Sequence, residues 1–273
     1  MNFYSWRQIM EFSNKKILIT GGSAGIGKAL VREFSEREVT DIAVMGRSGE
    51  KLDELEKDFP SVHFLKIQGD VSQPEDIKDA VNTVKEQWNT LDILINNAGV
   101  VSAGPLEEIS DEDVISQVNI NLTGLILMTK YFLPLLKQSK NGAIMNISSG
   151  LGYIAMPFYS VYAATKAAVK HFSESIRREL IHYPIHVMTV YPTATDTSMM
   201  QSAGVDPDNM DTPEEVAKAS LEGLIDKRIE VILGGEKRKE DIQLNFNAPL
   251  KMDKKVENAF KSLQKRTATH RSM

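Results

Sequence analysis

Tyr162 and Lys166 stand four residues apart in Tyr162-Ala163-Ala164-Thr165-Lys166, inside a stretch that reads as a helix. On a helix that spacing puts the phenol and the ammonium on one face. A nearby cation favours phenolate and lowers a tyrosine pKa. Free tyrosine titrates near pH ~10, so work near neutrality asks for a shift of roughly 3 units, or about 4 kcal/mol. The chemistry on offer is general acid/base proton exchange. A lone Tyr-x-x-x-Lys is a weak signal, because the chain has seven Tyr and many Lys. The elements around it must decide.

A second constellation is Thr20-Gly21-Gly22-Ser23-Ala24-Gly25-Ile26-Gly27, which follows an apolar run and opens a helical one. Glycines there permit a tight turn and close approach to a pyrophosphate, and the helix N-terminus adds N–H donors and a positive dipole. The alternative, a plain Gly-rich β-α turn, fits less well because strand, turn and helix all sit where a phosphate turn needs them.

The elements that position these residues alternate. Strands are expected at residues 17–20, 41–45, 62–67, 91–95, 142–147, 185–191 and 229–233. Helices are expected at 25–36, 50–58, 74–88, 111–136 and 157–181, with another starting at Thr212-Pro213-Glu214-Glu215, an N-cap followed by Pro. Alternation of this kind implies βαβ units, right-handed crossovers and helices on both faces of a parallel sheet. The expected fold is α/β: a Rossmann-type, doubly wound, seven-stranded sheet in three αβα layers, over residues 15–235. Residues 1–14 read as an arm packed on the surface, and Met10 is as good a start as Met1. Residues 236–273 read as a short extension. From Lys251 it carries seven Lys/Arg and two Asp/Glu. A solvated terminal helix around Phe260 and Leu263 is expected, with a partner, membrane-surface or pocket-covering role left open.

Composition narrows the function. Net charge is -5, which argues against general nucleic-acid affinity. The absence of Cys excludes disulfides, thiol catalysis and thiolate metal sites. No metal site is expected: His182 and His186 are separated by Pro184, and all five His read as structural or surface residues. No apolar run reaches the eighteen residues a membrane span needs. The N-terminus lacks the parts of a signal peptide, and a cytoplasmic location is expected.

The spacing Thr-Gly-x-x-x-Gly-x-Gly, with Asn96-Asn97-Ala98-Gly99 closing the fourth strand, Asn121 before Leu-Thr-Gly, Ser149 thirteen residues before Tyr162, and Lys166 four beyond it, resembles the short-chain dehydrogenase/reductase family over residues 16–198. The resemblance implies hydride transfer between a nicotinamide and a carbonyl or alcohol. It implies Tyr162 as general acid/base and Lys166 as the group that lowers the Tyr162 pKa and binds the nicotinamide ribose. Ser149 would hold the carbonyl oxygen, and Asn121 a relay water. It also implies a cofactor site built from Gly21, Ser23, Gly25, Ile26, Gly27, Asp70, Val71, Asn97, Tyr162, Lys166, Thr195 and Thr197. Arg47 and Ser48, where the second strand ends without an acid, favour a 2′-phosphate and hence NADP. Ala24 stands where NADP-preferring relatives often carry a second basic residue.

Leu151, Tyr153, Met156, Tyr159 and the loop 193–210, with Met199, Met200 and Met210, are the expected substrate wall and suit an apolar small-molecule carbonyl or alcohol. Tyr153 and Tyr159 either line the pocket or pack. Two departures from the family stand out. Thr193 replaces the Gly usual after Pro192, and 38 residues follow Gly235. The second weakens one alternative, a 3-oxoacyl-carrier-protein reductase. The other alternative, a non-catalytic dinucleotide-binding regulator, predicts a damaged catalytic set, and none is visible. Small Ala163, Ala164, Ala167 and Ala168 suit a helix-mediated homodimer or homotetramer.

Overall fold

Strands β1 (Lys16–Thr20), β2 (Asp41–Gly46), β3 (His63–Gln68), β4 (Ile93–Asn96), β6 (Gly142–Ile147), β7 (Ile185–Tyr191) and β8 (Glu230–Ile232) form one sheet in the order β3-β2-β1-β4-β6-β7-β8, all pairs parallel. This is the doubly wound, Rossmann-type arrangement. The computed structural model describes residues 10–206, 208 and 210–273.

The central strands β1, β4, β6 and β7 read as near-continuous apolar runs because both faces are covered. Side chains alternate between two cores. Ile17 and Ile19 face one, with α1 (Gly25–Ser35), α2 (Gly49–Asp58) and α7 (Pro213–Ile225); Leu18 faces the other, with α3 (Pro74–Trp88), α5 (Leu125–Leu136) and α6 (Ser160–Glu179). The expected cap of α7 is a full capping box between Thr212 and Glu215.

Three local features differ from the sequence reading. Residues 111–136 are not one regular helix: α4 (Asp111–Val118) and α5 are joined by a π-helical stretch, Asn119–Gly124. Single π turns of this kind widen a helix where a side chain is drawn away from it, and here Asn121 is drawn to the backbone of Val100. Secondly, Met10 and Phe12 do not lie on the surface. Both are buried in the first core, and the Phe12 ring meets Phe34 edge-on at 5.3 Å. The rest of the expected arm, 1–9, lies outside the described residues.

Thirdly, the C-terminal extension is folded throughout. Helices α8 (Gly235–Asn247), α9 (Pro249–Glu257) and α10 (Phe260–Thr267) lead to β9 (Arg271–Ser272), which pairs antiparallel with β5 (Val101–Ser102). Phe260 packs on Phe158 at 5.0 Å. Arg271 forks onto the buried carboxylate of Asp113 at 2.7 and 2.9 Å. The expected solvated helix is therefore the last of three, and it is followed by a strand tied to the fold.

Burial of Phe12 has a measurable consequence. Phe12→Ala should cost about 3 kcal/mol in denaturant unfolding, the usual scale for truncating a buried aromatic. A change below about 0.5 kcal/mol, the scale of surface substitutions, would return residues 10–14 to the role of surface arm.

Candidate active site

The sheet changes winding direction between β1 and β4, and a cleft opens there beyond the carboxyl ends of the strands, where ligands of this architecture bind. Its volume is about 460 Å³. One wall is the glycine turn. Gly21 adopts φ +65°, and a Cβ on Gly27 would lie 2.2 Å from the Gly21 carbonyl oxygen, so a side chain at either position would break the turn. Asn97 Nδ2 braces it from β4 by donating to the carbonyls of Thr20 (3.0 Å) and Gly21 (3.2 Å).

Of the expected cofactor residues, Gly21, Gly25, Ile26, Arg47, Asn97, Tyr162, Lys166, Thr195 and Thr197 line this cleft. Asp70 and Val71 line an adjoining hollow of about 90 Å³ with Gly21 and Arg47. Asp70 also caps a turn, accepting from Ser72 N at 2.8 Å. Ser48 is turned away: it N-caps α2, accepting from Lys51 N at 3.3 Å. Ser23 Oγ sits toward Gly46 rather than on the cleft wall. Lys51, one turn into α2, lines the cleft with Arg47. It supplies the second cation that the sequence reading sought at Ala24. Its distance of four residues from Arg47 was the available signal.

The other wall carries Ser149, Tyr162 and Lys166. Ser148 and Ser149 are separated by their surroundings. Ser148 is buried and donates to Lys166 O at 2.8 Å, pinning α6 to β6, whereas Ser149 faces the cleft. Lys166 is buried and its ammonium donates to Ile147 O at 3.1 Å, with its Nζ 5.6 Å from the centre of the Tyr162 ring. Asn121 lies behind it. Its Oδ1 accepts from Val100 N at 2.8 Å, and its Nδ2 donates to Val100 O at 2.9 Å and Thr165 Oγ1 at 3.3 Å. The side chain is therefore fully occupied by neighbours.

Electrostatics here run opposite to the sequence expectation. Burial pushes the Tyr162 phenol up to about 12, with the Ser149 hydroxyl opposing the rise. Burial pushes the Lys166 ammonium down to about 8. Desolvation penalises both charged forms, and the ammonium is aimed at the Ile147 carbonyl. Tyr162 keeps part of its surface toward the open cleft, so whatever fills the cleft completes its environment.

The substrate side holds further corrections. Leu151, Met156, Tyr159, Met199 and Met200 line the cleft, but Tyr153 and Met210 do not. The Tyr153 ring packs on Tyr191 at 4.6 Å, and burial with Glu230 nearby raises its pKa. Thr193 takes no glycine-like backbone angle; its hydroxyl bonds to Asp211, and Thr195 and Thr197 each donate to the carbonyl two residues before. Within this loop, residues 207 and 209 lie outside the described residues.

Of the five His expected to be structural or surface residues, His270 stands out because it reaches the cleft. It is buried on the cleft wall, with Nδ1 2.8 Å from Tyr159 Oη and Nε2 3.0 Å from Met199 O. A carbonyl can only accept, so Nε2 carries the proton and the Tyr159 hydroxyl donates to Nδ1. Burial keeps the ring neutral by lowering its pKa. Arg238, Leu263, Arg266 and Ser272 join it on the wall. No local motif marks these residues; only the folding of the extension brings them in.

Lys166 provides a sign-defined test. Its pKa is depressed on folding, so the buried charge is penalised in full below pH 8 and the penalty fades as pH rises from 8 to 10.5. Lys166→Met should therefore raise stability near pH 7 by up to roughly 3 kcal/mol. The gain should shrink across that window in melting curves followed by circular dichroism. A gain independent of pH would refute the depressed pKa.

Comparison with known proteins agrees with this geometry. The family model for short chain dehydrogenases matches residues 15–208. An uncharacterized oxidoreductase of Thermotoga maritima is 34% identical over 223 residues, 81% of this chain and 86% of its own. A short-chain dehydrogenase from Sphingobium yanoikuyae, solved with NADPH, superposes with a TM-score of 0.75 at 28% identity, covering 88% of this chain and 96% of that one. A short-chain dehydrogenase/reductase from Burkholderia phymatum, solved with NAD, shares the fold with a TM-score of 0.81 at 18% identity, covering 88% and 95%. With its winding, glycine turn and Ser-Tyr-Lys wall in one cleft, the chain belongs to the short-chain dehydrogenase/reductase family of oxidoreductases.

Proposed function

We propose that the protein is an NADP(H)-dependent oxidoreductase that interconverts a ketone or aldehyde with an alcohol. The observation that carries this reading is one cleft with Ser149, Tyr162 and Lys166 on its substrate side and Arg47 with Lys51 at the end of β2. The residues present fit a dinucleotide. The glycine turn leaves room that any Cβ would fill, and no acid stands at the end of β2 to repel a 2′-phosphate.

When bound, the nicotinamide supplies or accepts the hydride. The chain's own groups handle binding and the proton. Tyr162, held protonated by burial, is in the acid form that carbonyl reduction needs, and it delivers its proton to the substrate oxygen. Ser149 donates a hydrogen bond to the same oxygen, one that strengthens as negative charge develops there. Lys166, whose pKa is pushed to about 8, exchanges protons near neutrality and can restore the one Tyr162 loses. The Asn121 side chain is occupied in fixing Val100 and Thr165, and Asn121 remains the residue we assign to the relay water. Arg47 and Lys51 clamp the ribose phosphate.

We assign the protein to the cytoplasm; among the described residues, no helix is long and apolar enough to cross a membrane. Exposed Ile115 and Val118 on α4, beside the alanine-rich start of α6, suit a helix-mediated dimer. The carrier-protein alternative is disfavoured because the extension beyond Gly235 adds Arg238, Leu263, Arg266, His270 and Ser272 to the cleft wall.

Two experiments test the proposal. Tyr162→Phe should lower kcat for ketone reduction by at least ~100-fold while NADPH binding changes little. Intact turnover in that variant would remove Tyr162 from the reaction. Arg47→Ala and Lys51→Ala should each raise KM for NADPH by about 10-fold and leave KM for NADH unchanged. Tighter NADH than NADPH binding by the wild type would overturn the cofactor assignment.

A further inference from the structure

The C-terminal extension delivers a charge to the cleft that no ion pair among the described residues neutralises. Arg266, on α10, lines the cleft beside Met199, Leu263 and His270. Its Nε is buried without a hydrogen-bond partner. Five residues on, Arg271 shows the contrast by pairing with Asp113 through both arms of its fork. A buried donor left unmade is costly, so native structures rarely keep one without a reason.

The position of Arg266 is that of a substrate contact. Its charge acts on both Tyr159 and His270, favouring the less protonated form of each. Those two are hydrogen-bonded to each other, and the Tyr159 ring lies 6.5 Å from that of Tyr162. Through Tyr159 and His270, Arg266 is thus neighbour to the part of the lining that carries the proposed proton donor. Among the described residues the cleft wall carries no Asp or Glu to answer it. Met156, Met199 and Met200 add apolar surface to the same cleft lining.

We propose that the substrate is an oxo- or hydroxy-carboxylate with an apolar body, and that Arg266 binds its carboxylate. The planar guanidinium matches a carboxylate fork to fork, and the methionines adapt to the apolar body. The inference deepens the oxidoreductase reading and rests on it.

The test uses the full chain with NADPH. Decanoate should raise the melting temperature of the wild-type complex and decanamide should not. Arg266→Leu should abolish the decanoate effect, and Arg266→Lys, which keeps the charge, should retain part of it. In turnover of 8-oxononanoate and its methyl ester, Arg266→Leu should raise KM for the acid by about 10- to 100-fold, the range for a hydrogen bond to a charged group. KM for the ester and kcat for both should stay within about threefold, as expected for loss of uniform binding. The proposal is overturned if wild type treats carboxylate and neutral analogue alike, if Arg266→Leu keeps the preference, or if the preference is lost in Arg238→Leu instead. Failure of the oxidoreductase reading looks different: no ketone consumes NADPH, while the Arg266-dependent decanoate shift persists.

Discussion

At the point where the sheet reverses its winding, two strand ends are tied together by a small buried clamp. Thr20 Oγ1 accepts from the backbone N–H of Asn97 and of Ala98, both at 3.0 Å, while Asn97 Nδ2 reaches back to the carbonyls of Thr20 and Gly21. Everything on the glycine side of the cleft hangs from the end of β1, and the chain leading to Val100 and Asn121 hangs from the end of β4. The clamp fixes the distance between them. Asn96, one residue earlier, points into the sheet and bonds Thr129 and Asn146. Adjacent asparagines thus brace the sheet and the turn separately, because successive strand side chains face opposite sides.

On the opposite wall, desolvation rather than charge pairing sets the protonation states. A Tyr-x-x-x-Lys on an exposed helix would follow the simple rule that a cation acidifies a phenol. Here Ser148 pins the helix down through the Lys166 carbonyl, and burial drives tyrosine and lysine toward their neutral forms. A neutral phenol and a lysine titrating near neutrality are the states that donation and resupply of a proton call for.

Much of the fold was legible because its signals are local. Each strand is a short apolar run, each main helix has its own periodicity, and the turn after β1 announces itself through glycine spacing. The glycine turn, Ser149, Tyr162 and Lys166 could be expected to share a cleft, since strand ends in this topology must meet there. The π turn was not legible, because Asn121 leaves a regular helix only to satisfy the Val100 backbone 21 residues away. Nor was Tyr153 separable from Tyr159 by sequence: one packs on Tyr191 and the other bonds His270, partners that sequence distance conceals.

The extension shows where the boundary falls. Sequence by itself determined the winding of the sheet, the family and the candidate residues for phosphate binding and proton transfer, because periodicity and motif spacing are read within a few dozen residues. Tertiary structure alone decided which face of each residue meets the cleft, how burial shifts Tyr162 and Lys166, and that His270 and Arg266 belong to the wall. The last of these depends on a two-residue strand pairing far back along the chain, Ser102 with Arg271 and Val101 with Ser272 (about 170 residues, a separation across which no local signal carries). Contacts of that kind are made by packing energy and buried hydrogen bonds, which leave no period in the sequence.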